Sequence, residues 1–428
     1  MIAHLISIGN ELLIGDTINT NAAWLGKELL TCGVETEKVI TIGDDDTLIK
    51  KALRQSLKRA DLTIITGGLG PTHDDITKTA LADFFNVGYK TDTQTLEYIQ
   101  EVFKKRNIPF SESNYAQAQV PENCKVLFNK AGTAPGMWFE EDGHIVVSLP
   151  GVPSEMKYLM TTHVLTELRK RATGQSHYVS HYMNLAGIGE STLSDLRLKD
   201  VRSLLNNGVN MAYLPGRHGI TLRISTFAPS LDSGKEKLEV VAEAIRKQAL
   251  EYVYSEEKDD SLAATVGRLL SEHGKTVAVA ESCSGGFLSN ALTNIPGSSA
   301  YMMGGVVAYD NSIKEKILGV PQSMLNEFGA VSKPVAMEMA KSVAKLTNAD
   351  FGLATTGIAG PGGGTAEKPV GLIWVGFWSA DEHFAMKLQL FKDRMANKER
   401  SAIIAMDVLR RKLSGIKTYP YDVKPEFE

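Results

Sequence analysis

The opening stretch of the chain switches repeatedly between two hydrophobic periods, and this alternation limits the fold more than any other feature. Residues 5–8 are strand-like. Residues 21–30 space their apolar side chains as a helix does and stop at Gly33. Residues 39–42 are strand-like again, an amphipathic run follows to Leu57, and residues 62–66 are continuously apolar. Strand–helix–strand–helix–strand with short connections predicts an α/β fold with a doubly wound parallel sheet. Asp46 or Thr47 is placed to cap the second helix. Ligands on such sheets sit at the carboxyl ends of the strands. Those ends are Gly9-Asn10-Glu11 and Gly67-Gly68-Leu69-Gly70-Pro71-Thr72.

The second of these loops carries chemistry. Glycines let the backbone approach a phosphate closely, and a helix expected over 76–84 offers free N–H groups. Gly67, Gly68, Gly70 and Thr72 are substrate-binding candidates. Asn19 joins them from the first loop, although Asn19 and Asn21 suit a helix cap equally well. His73-Asp74-Asp75 close the loop. Adjacent carboxylates beside a phosphate site can hold a divalent cation that bridges to substrate; they also suit the positive end of a helix dipole. Asp74 and Asp75 are the metal candidates, with Glu11 as a third ligand. No G-x-G-x-x-G follows the first strand, which speaks against a nicotinamide-dependent dehydrogenase.

A related arrangement returns near the other end of the chain. The apolar run 276–279 leads into Ala280-Glu281-Ser282-Cys283-Ser284-Gly285-Gly286 and a helix starting near Phe287. Nucleophiles at such a turn lie beside helix-start N–H groups that can stabilise an oxyanion. Ser282, Cys283 and Ser284 all offer one; Ser284 also suits an N-cap, and Cys283, between small residues, suits inward packing. A second loop, Thr355 to Gly364, follows a strand expected over 351–354 and has five glycines in its last eight positions, more than a turn requires. Thr356, Gly357, Gly360 and Gly362 are candidates to face the same pocket. His273 is the one histidine nearby in sequence, so a Ser–His–Asp arrangement lacks support. A Ser–Lys arrangement remains, with a desolvated Lys314 as base and Tyr309 beside it after the strand 304–308. Arg394, opening the last helix, is either a fixed cation for a substrate phosphate or a surface charge. Ser342-Val343-Ala344-Lys345 matches S-x-x-K but sits mid-helix without companion motifs.

At 428 residues the chain exceeds one ordinary core. The first domain, 1–170, runs past Leu149-Pro150-Gly151-Val152-Pro153; a small α+β module covers 175–254; the charged stretch 255–260 reads as a linker; an α/β domain covers 258–415. The tail from 416, with two prolines and no periodicity, is expected to be loosely ordered. A formal charge of −4 leaves no basic footprint, which argues against nucleic acid as the main partner. Three widely spaced cysteines form neither a disulfide framework nor a zinc site. With no signal-peptide pattern and no apolar run of membrane length, a cytoplasmic location is expected. The small middle module is expected to bury surface against a neighbour, giving a homodimer.

Several blocks together resemble one family. Gly9-Asn10-Glu11-Leu12-Leu13-x-Gly15, the 67–75 block, Gly132-Thr133-Ala134-Pro135-Gly136 and Leu149-Pro150-Gly151-Val152-Pro153 resemble the molybdopterin-binding-like domain of the CinA family. The 280–286 loop, Gly297-Ser298-Ser299, Thr356-Gly357-Ile358-Ala359-Gly360-Pro361 and Lys368-Pro369-Val370-Gly371 resemble its C-terminal domain, and the middle module is similar to its KH-like domain. The resemblance implies two hydrolytic activities. One is an ADP-ribose pyrophosphatase in the first domain that uses a divalent cation (Mg, Mn or Co). The other is a nicotinamide mononucleotide deamidase in the third domain, without a cofactor and with Ser282, Tyr309 and Lys314 at its centre. Two further readings stand beside this: a pterin-binding or cofactor-assembly protein, and a DNA-uptake or repair accessory protein, as the family's association with competence and damage induction suggests.

Overall fold

The computed structural model describes residues 1–72, 75–107, 109–171, 177–206, 208–216 and 219–427. The chain forms two compact units, residues 1–178 with 227–234 and residues 179–226 with 235–428.

The first unit holds β1 (Ile2–Ile8), β2 (Glu35–Ile42), β3 (Leu62–Thr66), a ribbon of β4 (Tyr89–Thr91) and β5 (Gln119–Pro121), then β6 (Lys125–Leu127), β7 (Gly136–Glu141) and β8 (His144–Leu149). Its main sheet runs β2-β1-β3-β8-β7-β6. The first four strands are parallel, as the alternating pattern requires. The sheet then continues with antiparallel β7 and β6. The β7–β8 hairpin turns at Asp142 (φ 50°) and Gly143 (φ 82°), both left-handed. That is the turn whose twist matches the flanking strands, and Asp-Gly adopts it readily. Successive residues of β3 serve opposite faces: Leu62 and Ile64 join Leu25 and Met156, and Ile65 joins Leu53 and Leu81. Burial on both sides is why this strand reads as an unbroken apolar run. The second helix, Asp46–Ser56, is capped by Asp45 and not by Asp46 or Thr47: the Asp45 carboxylate accepts the Leu48 N–H at 2.8 Å. Asp46 is already helical and pairs with Lys50 one turn on.

In the second unit, β9 (His177–Leu185), β10 (Val209–Gly216), β11 (Gly219–Ala228) and β12 (Val253–Ser255) form a sheet ordered β10-β11-β9-β12. Helix Leu231–Ala249 buries Leu238, Val241 and Ile245 in the same core as Leu222 and Ile224. The charged stretch after β12 is more than a linker. Glu256 accepts Arg246 Nε and Nη2, both at 2.7 Å, and pairs with His181 at 2.7 Å. Two parallel bonds to one guanidinium fix its geometry.

The C-terminal sheet comprises β13 (Val277–Glu281), β14 (Met302–Val307), β15 (Phe351–Gly357), β16 (Leu372–Trp378), β17 (His383–Gln389) and β18 (Glu426–Phe427), in the order β14-β13-β15-β16-β17-β18. The first three strands are parallel and the rest antiparallel. Helix Lys333–Thr347 lies close on one face. A Cβ on Gly352 would stand 1.9 Å from Ala340 O, so only glycine allows this approach. The tail expected to be loose is packed instead. Tyr419, Tyr421 and Val423 pack against the main core, and Phe427 pairs with Phe384 of β17. Burial of scattered aromatic and apolar side chains orders it, which needs no periodicity.

Candidate functional site

In the C-terminal sheet, β13 and β15 pair with Glu281 opposite Thr355. Side chains alternate along a strand, so Glu281 and Thr355 share one face while Ser282 and Thr356 continue the other. On the first face the Glu281 carboxylate is fully buried. It accepts the N–H groups of Gly286, Leu288 and Ser289 at 3.0, 3.0 and 2.7 Å, and the hydroxyls of Ser284 and Ser289 at 2.6 Å each. The start of helix Phe287–Thr293, expected to receive a substrate anion or oxyanion, is therefore filled by the chain's own carboxylate. Ser284 is tied inward, with its Oγ also 2.5 Å from Thr355 Oγ1. Among the described residues, the N–H groups of Ser284 and Gly285 donate to no acceptor. Sequence reasoning passed over Glu281; the signal was an acid placed just ahead of a helix start.

The second face brings together different groups. The Ser282 N–H donates to Thr355 O at 2.8 Å, and among the described residues its hydroxyl makes no hydrogen bond. Thr356 Oγ1 donates to Ala330 O at 2.8 Å. Lys314, on helix Asn311–Lys316, is 1% exposed; its Nζ donates to Ala308 O at 2.8 Å and Tyr309 O at 3.1 Å. Burial lowers its pKa below the usual lysine range, with Asp310 and Cys283 acting the other way. Tyr309 is 60% exposed and its Oη accepts from Arg394 Nη2 at 2.9 Å. Arg394 Nη1 donates to Gly360 O at 2.7 Å, so one guanidinium joins Tyr309 to the glycine loop. Gly357 ends β15, and Gly362 borders open space. Two further residues escaped sequence reasoning. Asn397 pins the glycine loop by donating to Ala359 O and Phe391 O, both at 2.9 Å. Lys398 holds its ammonium 3.3 Å from where a Cβ on Gly285 would stand, over the Phe287 ring. The buried Cys283 thiol is pushed up to about 12 by desolvation. Ser342 lies mid-helix, bonded to Glu338.

In the first unit, Gly67 (φ 104°) packs so closely on β1 that a Cβ would lie 2.2 Å from Ile8 O. Its N–H donates to Leu149 O at 3.1 Å and its carbonyl accepts Thr77 Oγ1 at 2.9 Å. Gly68 faces Thr77, and Gly70 faces the Asp75 carboxylate. Asp75 Oδ2 accepts both the N–H (3.0 Å) and the hydroxyl (2.5 Å) of Thr72. Asp74 and His73 lie outside the described residues. Glu11 folds its carboxylate back over Gly9. Among the described residues, no three His, Cys, Asp or Glu side chains converge as a metal cage. One free Asp75 oxygen still fits a cation such as magnesium, which takes one or two carboxylates and draws its other ligands from phosphate and water. Asn19 caps helix Thr20–Leu30 through the Ala22 N–H at 3.0 Å. Asn21 Nδ2 donates to Gly151 O at 2.7 Å, and its Oδ1 is buried without a partner among the described residues. Lys78, another residue sequence reasoning missed, donates to Ala116 O at 2.6 Å. Burial pushes its pKa down to about 8 while Asp75 opposes the shift.

Family models match most of the chain: a probable molybdopterin binding domain over 4–170, a damage-inducible protein CinA KH domain over 180–255 and a CinA C-terminal domain over 259–413. A CinA-like protein of Salinibacter ruber is 42% identical over 415 residues, covering 97% of this chain and all of the relative. The chain belongs to the CinA family. Another member, a CinA-like protein of Chloroherpeton thalassium, is 40% identical over 424 residues, covering 97% of this chain and all of its own. Among solved structures, the CinA protein of Thermoplasma acidophilum is 34% identical, covers 39% of this chain and 97% of its own, and aligns with a TM-score of 0.36. Ser282, Lys314 and Arg394 fall within the span matched by the CinA C-terminal model, and Asp75 and Lys78 within the molybdopterin-type span. Among the described residues, no helix is long and apolar enough to cross a membrane.

Proposed function

We propose that the C-terminal part of this CinA-family chain is an amidohydrolase that converts nicotinamide mononucleotide to nicotinate mononucleotide. The observation that carries this reading is the state of Lys314. A neutral amine has two N–H bonds and one lone pair. Ala308 O and Tyr309 O occupy two positions around Nζ, and burial favours the neutral form. The third position is then a lone pair; the carbonyls that hold Nζ follow β14, and Ser282, whose hydroxyl is unbonded among the described residues, follows β13, the strand paired with it. In this reading Lys314 takes the Ser282 proton as Oγ attacks the carboxamide carbon. The unused N–H groups of Ser284 and Gly285 receive the oxyanion. The proton passes to the leaving nitrogen, ammonia departs, and water cleaves the ester to release the carboxylate and restore Ser282. Arg394 meets the substrate phosphate. Purified protein spanning residues 1–428 should release ammonia from nicotinamide mononucleotide in the presence of a chelator. The rate should rise with pH up to the lowered Lys314 pKa and then level, because only the neutral amine accepts a proton. Absence of ammonia, or a rate that falls across that range, would refute the assignment.

A second activity is favoured by the geometry around Asp75 and Lys78: hydrolysis of the ADP-ribose diphosphate in the first unit. A divalent cation bound there would supply charge neutralisation on the diphosphate. Asp75 offers it the carboxylate oxygen that Thr72 leaves free, the 67–70 backbone approaches the phosphates, and Lys78 adds a nearby cation. Chelator should abolish ADP-ribose turnover and spare ammonia release. In Asp75→Asn, turnover should fall by about 100-fold or more, in line with the loss of a group that stabilises transition-state charge. An independent readout is the titration of Lys78 by NMR, with a midpoint at about 8 in the parent. Because Asp75 holds that value up, the variant should titrate lower; an unchanged midpoint and unchanged turnover would remove Asp75 from the site.

A further inference from the structure

The second unit contains a cavity of about 440 Å³ between the β10–β11 end of the middle module and the β17 edge of the C-terminal sheet. That size lies within the range of small-molecule sites. Its walls are apolar, formed by Ile188 and Ile220 on one side and Leu388, Phe391 and Tyr421 on the other. Among the described residues Arg400 and Glu190 are the charged side chains at its wall; the backbone of Lys387 lines it too, but the Lys387 ammonium lies over the Trp374 ring on the other face of the sheet, 5.9 Å from its centre. One cation and one carboxylate at the wall suit a ligand that carries both an anionic group and hydroxyls.

Two observations indicate a built site and not a packing gap. Tyr421 holds a left-handed backbone (φ 56°, ψ 23°), unusual for a bulky residue. It is kept there by its N–H bond to Gly187 O at 2.6 Å and by Arg400 Nη1 on its hydroxyl at 2.9 Å. Arg400 therefore arrives in the cavity already oriented. The opposite wall is equally fixed. Gln389 Nε2 donates to Val370 O at 2.9 Å, and Phe391 exchanges bonds through both its N–H and its carbonyl with Asn397, at 2.9 Å each. Phe391 nevertheless leaves 54% of its surface exposed. A preoriented cation beside rigid aromatic walls suits a ligand with a flat apolar ring and one anionic group.

We propose that this cavity binds a nucleoside monophosphate, separately from the Ser282 loop and the 67–75 loop. The base lies between Phe391 and Tyr421, the phosphate meets Arg400, and Glu190 accepts from sugar hydroxyls.

The test is calorimetric titration of AMP and of adenosine into the full chain. Gly216 and Gly189 line the cavity at positions where an added Cβ would meet nothing closer than 3.8 and 3.9 Å, so Gly216→Trp and Gly189→Trp can fill it without a backbone clash. Of the saturable AMP sites in the chain, one is expected to be lost in either tryptophan variant with the melting transition retained. Arg400→Gln should weaken AMP about tenfold, the worth of one charge-assisted bond, and leave adenosine within about twofold. No saturable AMP site, or an AMP stoichiometry that both tryptophan variants leave unchanged, overturns the proposal. So does an Arg400→Gln effect equal for AMP and adenosine. Because turnover is not read, failure of the catalytic assignments leaves this test intact.

Discussion

Ser282→Ala is expected to reduce ammonia release from nicotinamide mononucleotide by at least about a thousandfold, the scale seen when a nucleophile that acts as a unit with its base is removed. Melting should stay near the parent value, because among the described residues the Ser282 hydroxyl holds nothing in place. Lys314→Met keeps the apolar stem in the buried site and removes the amine, so it should cost about as much as Ser282→Ala, and the double variant little more. Cys283→Ala is the informative contrast. With its thiol at about 12, the thiolate fraction near neutral pH is on the order of 10⁻⁵, so this variant should retain most activity. A fully active Ser282→Ala would remove the serine mechanism, and a dead Cys283→Ala would put a thiol in its place. Ser284→Ala should show a different signature. Its hydroxyl touches Glu281 and Thr355 and not the open face, so the loss should appear in melting before it appears in turnover.

Why Ser282 could be chosen from sequence and Glu281 could not follows from what each residue depends on. A hydroxyl at the end of a strand, before glycines and a helix, is local information. The role of Glu281 depends on a helix folding back so that Gly286, Leu288 and Ser289 all aim at one carboxylate, which neighbouring letters do not encode. The same division runs through the fold. β1 and β3 were legible because burial on both faces crowds them with apolar residues, and β2, which stays half-exposed, because Val39, Ile40 and Ile42 still mark a strand. The β7–β8 hairpin carried its own marker in Asp142-Gly143, but the strands themselves do not alternate cleanly: β7 is buried over its first four residues and exposed over its last two. The tail after 416 defeated periodicity altogether, since its order comes from Tyr419, Tyr421 and Val423 reaching a core built elsewhere in the chain. Lys78 was equally invisible, because its lowered pKa arises from burial against residues such as Ala116 that are distant in sequence.

Asp407→Ala should destabilise the second unit by about 3–5 kcal/mol, the cost of leaving buried cations without their carboxylate. Asp407 is 0% exposed; its Oδ1 accepts Arg410 Nε at 2.7 Å and its Oδ2 accepts Arg411 Nε at 2.9 Å. Both arginines are buried as well. Arg410 Nη2 continues to Glu251 O at 2.7 Å, while Arg411 Nη1 reaches Thr418 Oγ1 at 2.7 Å and its guanidinium lies 5.1 Å from the Tyr252 ring centre. One aspartate on the last helix thus fastens the middle module and the tail to the C-terminal sheet. For a unit of this size the loss corresponds to a fall in melting midpoint of roughly 10 °C. A shift below roughly 2 °C would show the triad to be energetically idle. Replacing all three together, with Asp407→Leu, Arg410→Met and Arg411→Met, should recover much of the loss, since no buried charge then remains unpaired. The triad also makes a prediction about boundaries. A fragment starting at 258 and ending at 415 would lack Glu251, Tyr252 and Thr418, and would leave both guanidinium groups facing places where their partners had been. It should melt below a fragment spanning 179–427 by an amount that Asp407→Ala in the longer fragment largely reproduces. If the short fragment were as stable as the long one, the buried charges would have to be compensated within the C-terminal sheet alone.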